Sequence, residues 1–137
     1  MNVGIIGCGA ISSQYIIGLK KNKKEINLLA CADKDENKSE FFAKEYNINP
    51  LSVEALLMDK DIDIIVNLTP PSSHFDISLK SLENGKHVFS EKPVSLTIEE
   101  GKKLYSTMKK NNVYLFSAPD TYLGPAFKKA QQIISSN

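Results

Sequence analysis

Residues 4–12 read GIIGCGAIS. A short apolar run, Val3 to Ile6, leads into Gly7 and Gly9, and then Ile11, Tyr15 and Leu19 follow at helical spacing. This is the pattern of a strand, a tight turn and a helix. Glycines let such a turn bring its backbone against a pyrophosphate, whose charge then meets the helix N-terminus. Ser12 stands where the third glycine of GxGxxG would be, and it is small enough to keep the helix packed close to the strand. A glycine turn by itself is weak evidence, because tight turns need glycines for their own sake. The strands and motifs downstream of it decide between the two.

Beyond the first helix, apolar runs of strand length alternate with stretches of helical period, which predicts repeated βαβ units and a parallel sheet. Strands are expected at Val3–Ile6, Leu28–Ala32, Ile62–Asn67, His87–Ser90 and Tyr114–Phe116, with a short extra one near Leu51. The run IDIIVNL is apolar on both faces, as a central strand covered by helices on each side requires. Helical spacing recurs at Phe75, Leu79 and Leu82, at Ile98, Tyr105 and Met108, and in a last segment of Ala126, Phe127, Ala130, Ile133 and Ile134. Thr97 with Glu100 predicts a capping box, and Gly85 a left-handed helix stop. The expected fold is α/β: a doubly wound, mostly parallel sheet of the dinucleotide-binding kind, with helices on both faces and ligands at the carboxyl ends of the strands.

Composition narrows the function. The chain has 137 residues, 42% hydrophobic and 24% charged, and 17 basic against 16 acidic residues leave a net charge of +1. That balance argues against a nucleic-acid or membrane-surface binder and for small-molecule partners. The basic run Lys20, Lys21, Lys23 and Lys24 falls where the first helix ends, and the helix dipole favours cations there. Cys8 and Cys31 are the only cysteines and form no metal-ligand or redox spacing, so no metal is expected and a reduced, cytoplasmic setting is. No apolar run approaches the roughly 20 residues that span a bilayer, and the N-terminus carries no basic leader.

Three further motifs fall after strands. CAD ends at Asp33, 26 residues after Gly7, where a carboxylate can accept both hydroxyls of an adenosine ribose and repel the extra phosphate of NADP. Lys34 offsets part of that repulsion, and an Asp that merely opens the next loop remains the alternative. In NLTPPSSH, residues 67–74, two prolines fix an extended turn, and Ser72 or Ser73 is available to cap the next helix. His74 there is either functional or a solvated or capping residue. In FSEKPVS, residues 89–95, Lys92 sits between an acid and a proline whose preceding bond can be cis. The plain alternative is a surface lysine beside a turn.

Together GIIGCGAIS, ACAD, NLTPPSSH, GKHVFSEKP and APDTYLGPA resemble, in order and spacing, the N-terminal domain of the glucose-fructose oxidoreductase, inositol dehydrogenase and rhizopine catabolism (Gfo/Idh/MocA) family. The resemblance covers essentially the whole chain, and EKP after GKHV is its most specific part. It implies a Rossmann domain that binds NAD or NADP, of which the Asp33 charge favours NAD, in an oxidoreductase acting on a sugar, polyol or related hydroxyl or carbonyl compound. By the same resemblance Gly7, Gly9, Ala10 and Ile11 lie at the pyrophosphate and Asp33 at the ribose. Thr69, Pro70, His74, Glu91 and Lys92 lie near the nicotinamide, with Lys92 the catalytic group.

Complete members of the family carry a second α/β domain that supplies the usual acid–base histidine. Residues 1–120 are therefore expected to form the cofactor domain, and 121–137, from Asp120 onward, the start of the segment leading to a second domain absent from this chain. On that expectation the chain alone is inactive, and apolar residues around Tyr122 to Phe127 favour self-association into a homo-oligomer. The alternative is a non-catalytic NAD-binding module acting with a partner chain. A Rossmann-like methyltransferase is a weaker third reading, opposed by the TPP and EKP loops.

Overall fold

The computed structural model describes residues 1–21, 25–118 and 125–135, with side chains from Lys128 onward in the last stretch. Lys23 and Lys24 of the basic run, the expected boundary at Asp120, and the side chains of Tyr122–Phe127 lie outside the described residues. The apolar runs form β1 (Asn2–Ile6), β2 (Asn27–Ala32), β3 (Asn49–Pro50), β4 (Ile64–Asn67), β5 (His87–Ser90) and β6 (Leu115–Ser117). They pair in the order β3-β2-β1-β4-β5-β6, and every pairing is parallel. Strand order reverses between β1 and β4, so the doubly wound topology has its switch point there.

Strand alternation distributes the core over both faces of the sheet. Ile5, Cys31 and Val66 point to one face, where Ile16 of α1 (Ser12–Lys21) and Phe42 and Ala43 of α2 (Glu36–Tyr46) cover them. Ile6, Ala30 and Ile65 point to the other, under Leu56 and Leu57 of α3 (Val53–Met58), with Ile77 of α4 (Pro71–Glu83) beside them. A third cluster joins Leu82 of α4, Leu104 of α5 (Ile98–Lys110), Val88 and Val113. The last element, α6, spans Pro125–Ser135. No helix among the described residues is long and apolar enough to cross a membrane.

Caps mark most helix ends, and the predicted capping box is present: Thr97 Oγ1 accepts from the Glu100 N–H while the Glu100 carboxylate accepts from Thr97. Gly85 follows α4 at φ 73°, the left-handed stop the sequence implies. Three details differ. The α4 cap is not Ser72 or Ser73. Helix geometry begins at Pro71, after an extended Pro70 with no side-chain capping bond, because a proline fits the first helical position without needing a donor. In α5 the buried residues are Leu104 and Thr107, whereas Ile98 and Tyr105 are 73% and 60% exposed, so the apolar stripe lies one position off the expected line. Helices α2 and α3 carry no clear periodicity. Phe42 and Ala43, with Tyr46 half-buried beside them, give α2 its apolar footing, and α3 is shorter than two turns; their caps, Asp35 and Ser52, are the local signals.

The lysine of GKHV has a structural job. Lys86 is only 6% exposed, and its ammonium donates to the carbonyl oxygens of Asp59 and Ile62, tying the end of α3 to the entrance of β4. Lys86→Met leaves the buried Ile62 carbonyl without a donor, while the Asp59 carbonyl keeps the Ile62 N–H. Urea denaturation is expected to show a loss of about 1–3 kcal/mol with an unchanged slope.

Candidate functional site

The glycine turn sits at the carboxyl end of β1, beside the switch point. Gly7 adopts φ +104°, and a Cβ there would lie 2.6 Å from the Leu68 carbonyl carbon. Both its conformation and its closeness to the loop after β4 require glycine. Gly9 differs: a Cβ at Gly9 would meet nothing within 4 Å. The space beside it opens into a cavity of about 350 Å³ lined in part by Gly7, Gly9, Ala10, Ile11 and Asp33. Among the described residues the N–H groups of Gly9, Ala10 and Ile11 have no hydrogen-bond partner, and these residues line that space just before α1 begins. Ser12 is buried and donates to the Gly9 carbonyl oxygen at 2.5 Å, which holds helix and turn together in the absence of a third glycine.

Asp33 also lines this cavity. Its Oδ2 accepts from the Cys8 N–H at 2.8 Å and its Oδ1 from the Asp35 N–H at 3.0 Å. The carboxylate thus fixes the glycine turn and keeps lone pairs for further donors. Lys34 and Lys38 line the same cavity and place positive charge beside it. The Cys8 thiol is pushed up by the adjoining Cys31 thiol, by burial and by the Asp33 carboxylate, which disfavours its thiolate form.

A second cavity of about 550 Å³ adjoins the first and shares Ile11, Leu68 and Thr69 with it. It is also lined by Tyr15, His74, Glu91 and Lys92. The shared lining joins the two into one cleft across the switch point. Asn67, fully buried at the end of β4, organises the second half. Its Nδ2 donates to the His74 carbonyl oxygen and to Ser78 Oγ, its Oδ1 accepts from the Thr69 N–H and hydroxyl, and its own carbonyl accepts from the Glu91 N–H at 2.9 Å.

His74 is neither solvated nor a cap. It is 1% exposed, with Nδ1 2.6 Å from the Pro93 carbonyl oxygen and Nε2 2.6 Å from that of Thr69. Its ring therefore bridges the TPP and EKP loops through their backbones, and burial excludes the solvated reading. Thr69 and Pro70 line the first cavity, with Thr69 reaching both. The Lys92–Pro93 bond is cis, as the sequence allowed. Lys92 is exposed at the rim, and among the described residues its ammonium makes no hydrogen bond. No group of three or more His, Cys, Asp or Glu that could hold a metal occurs among the described residues.

The structure thus gathers every candidate residue along one sheet edge: Gly7, Gly9, Ala10, Asp33 and Pro70 in one half, His74, Glu91 and Lys92 in the other, and Ile11 and Thr69 lining both. The family described as "Oxidoreductase family, NAD-binding Rossmann fold" matches residues 1–118. The chain belongs to that family. Its relatives include the trans-1,2-dihydrobenzene-1,2-diol dehydrogenase of Xenopus tropicalis, 30% identical over 96% of this chain and 41% of the relative. The scyllo-inositol 2-dehydrogenase (NAD(+)) of Bacillus subtilis is 28% identical over 96% of this chain and 39% of its own length. Among solved structures, biliverdin reductase of Synechocystis, in complex with biliverdin and NADP+, superposes with a TM-score of 0.87 at 27% identity, over 98% of this chain and 42% of that one. The chain spans about two fifths of the length of these proteins, and it carries the family's NAD(P)-binding Rossmann domain.

Sequence reasoning did not single out Asn67, and it treated Tyr15 as an ordinary apolar-face residue. The signal for Asn67 was a lone amide ending an otherwise apolar central strand. The two glycines separate fold from ligand space. Gly7→Ala is expected to lower unfolding stability by more than about 1 kcal/mol, since a positive φ and a close backbone oppose a side chain. Gly9→Ala should stay within about 0.5 kcal/mol of the parent. Parallel urea titrations decide both.

Proposed function

We propose that this chain binds a nicotinamide dinucleotide in extended form across the switch-point cleft, with NAD preferred over NADP. It does so as the cofactor domain, residues 1–120, of an oxidoreductase acting on a sugar, polyol or related hydroxyl or carbonyl compound. The observation that carries this is the continuity of the cleft from Asp33, past the open face of Gly9, to Lys92. The N–H groups of Gly9, Ala10 and Ile11 face the pyrophosphate, with Gly7 shaping the turn, and the Asp33 carboxylate receives the ribose hydroxyls. Thr69, Pro70, Glu91 and Lys92 surround the nicotinamide half, and His74 holds the loops that shape it. A reducing, cytoplasmic setting belongs to the proposal, supported by the two free thiols of Cys8 and Cys31.

Bound nicotinamide supplies hydride exchange with a substrate carbon. Lys92 is the catalytic residue of this chain: its ammonium at the rim donates a hydrogen bond to the substrate oxygen, positioning a hydroxyl or polarising a carbonyl as charge develops there. The rigid TPP and EKP loops hold that donor in a near-attack arrangement. Relatives include a dehydrogenase of trans-1,2-dihydrobenzene-1,2-diol, one of scyllo-inositol and a D-xylose 1-dehydrogenase (NADP(+)). All three names denote hydroxyl-bearing substrates, which supports the substrate class.

NAD preference follows from the charge of Asp33, against the partial offset of Lys34 and Lys38. Calorimetric titration of the chain with NAD and then NADP at fixed salt is expected to show tighter NAD binding. Asp33→Ala should weaken both dinucleotides, because the carboxylate also holds the Cys8 N–H, while the NAD-to-NADP affinity ratio falls by about tenfold. An unchanged ratio removes Asp33 from the ribose site, and no binding of either by the parent chain removes the reading.

A further inference from the structure

Tyr15 lies on the helical period of α1, and its ring packs as an apolar residue would, edge-on to Phe89 at 6.1 Å and 65°. A phenylalanine would satisfy that contact. The hydroxyl does something else. It lines the cavity that holds Lys92 and donates to Glu91 Oε1 at 2.5 Å, across 76 residues of sequence. That length is characteristic of a charge-assisted bond from a hydroxyl to a carboxylate. The second carboxylate oxygen, Oε2, accepts from the Lys92 N–H at 3.1 Å. Both oxygens of Glu91 are therefore engaged by protein, one by α1 and one by the backbone that carries the lysine. The phenol is pushed above the ordinary tyrosine range, first by burial and then by its bond to Glu91, so it stays a donor through neutral and mildly alkaline pH.

We infer that Tyr15 is a positioning residue for the nicotinamide half of the cleft: through the Glu91 carboxylate it fixes the backbone of Lys92 relative to α1. The inference rests on the cofactor reading above. Helix α1 begins at the glycine turn, so the element that receives the pyrophosphate and the loop that presents the lysine are joined by one hydroxyl. The Glu91 N–H bond to Asn67 and the Pro93 contact to His74 hold the same loop from β4 and α4. The Tyr15 bond is the tie that refers it to the glycine turn. Glu91 in this arrangement is an anchored carboxylate and not a proton acceptor for substrate.

The test separates the two halves of the ligand. The 137-residue chain is titrated calorimetrically with NAD and, separately, with ADP-ribose, which has the pyrophosphate and both riboses but no nicotinamide. Tyr15→Phe is expected to lower NAD affinity by about tenfold and leave ADP-ribose affinity within about twofold. Glu91→Ala should lower NAD affinity similarly, and Tyr15→Phe added to Glu91→Ala should bring no further loss, because both changes cut one connection. NAD should slow acetylation of Lys92 by acetic anhydride, read by peptide mass, in the parent chain and not in Tyr15→Phe. No selective loss of NAD affinity, an equal loss of both ligands, additive losses in the double variant, or unchanged protection of Lys92 each overturns the positioning role. Failure of the parent chain to bind ADP-ribose instead refutes the cofactor reading itself, and the inference falls with it.

Discussion

The side-chain amide of Asn67, 0% exposed at the end of the central strand, is the fixed point of the cleft. A buried carboxamide is costly unless its donors and acceptor are met, and here both are: the amine by α4 at His74 and Ser78, the oxygen by Thr69. The backbone carbonyl of the same residue receives the EKP loop. One residue thereby sets the positions of two loops and a helix around it. An apolar residue of similar size would fill the volume and release α4 and the Thr69 loop, while its backbone carbonyl would still receive the EKP loop.

Backbone groups carry most of this framework. His74 reaches the carbonyls of Thr69 and Pro93, Lys86 those of Asp59 and Ile62, and Asp33 the N–H groups of Cys8 and Asp35. Among the described residues no buried side-chain polar atom lacks a partner. Polar side chains here hold loops by their main chain, and among the described residues the Lys92 ammonium at the rim makes no hydrogen bond. Asp33 does both at once: it secures the glycine turn and presents charge to the cavity beside it.

What could be read from the sequence was local. The strand runs, the glycine turn, the Thr97–Glu100 box and the Gly85 stop each depend on residues a few positions apart, and each stands where its pattern put it. The strand-end placement of the motifs followed from topology alone, which is why Asp33, Thr69 and Lys92 come together although they lie far apart in the chain. Individual side-chain roles were not legible where the partner is distant. His74 meets Pro93 19 residues on, and Tyr15 meets Glu91 76 residues on. Periodicity marks Tyr15 as apolar and is blind to its hydroxyl. Helix α3 escaped notice for a different reason, being too short for a period to show.

Strand β1 pairs with β2 on one side and with β4 on the other, and the contact of Asn2 with Asp63 closes a loop of 61 residues. Such a closure costs chain entropy before any pairing rewards it. The floor of the cleft is this junction, so it comes into being only when the two βαβ halves have joined and is absent from either half alone. A ligand lying across it binds the joined sheet and nothing earlier on the folding route, and its binding energy is added to the cooperativity of the whole domain.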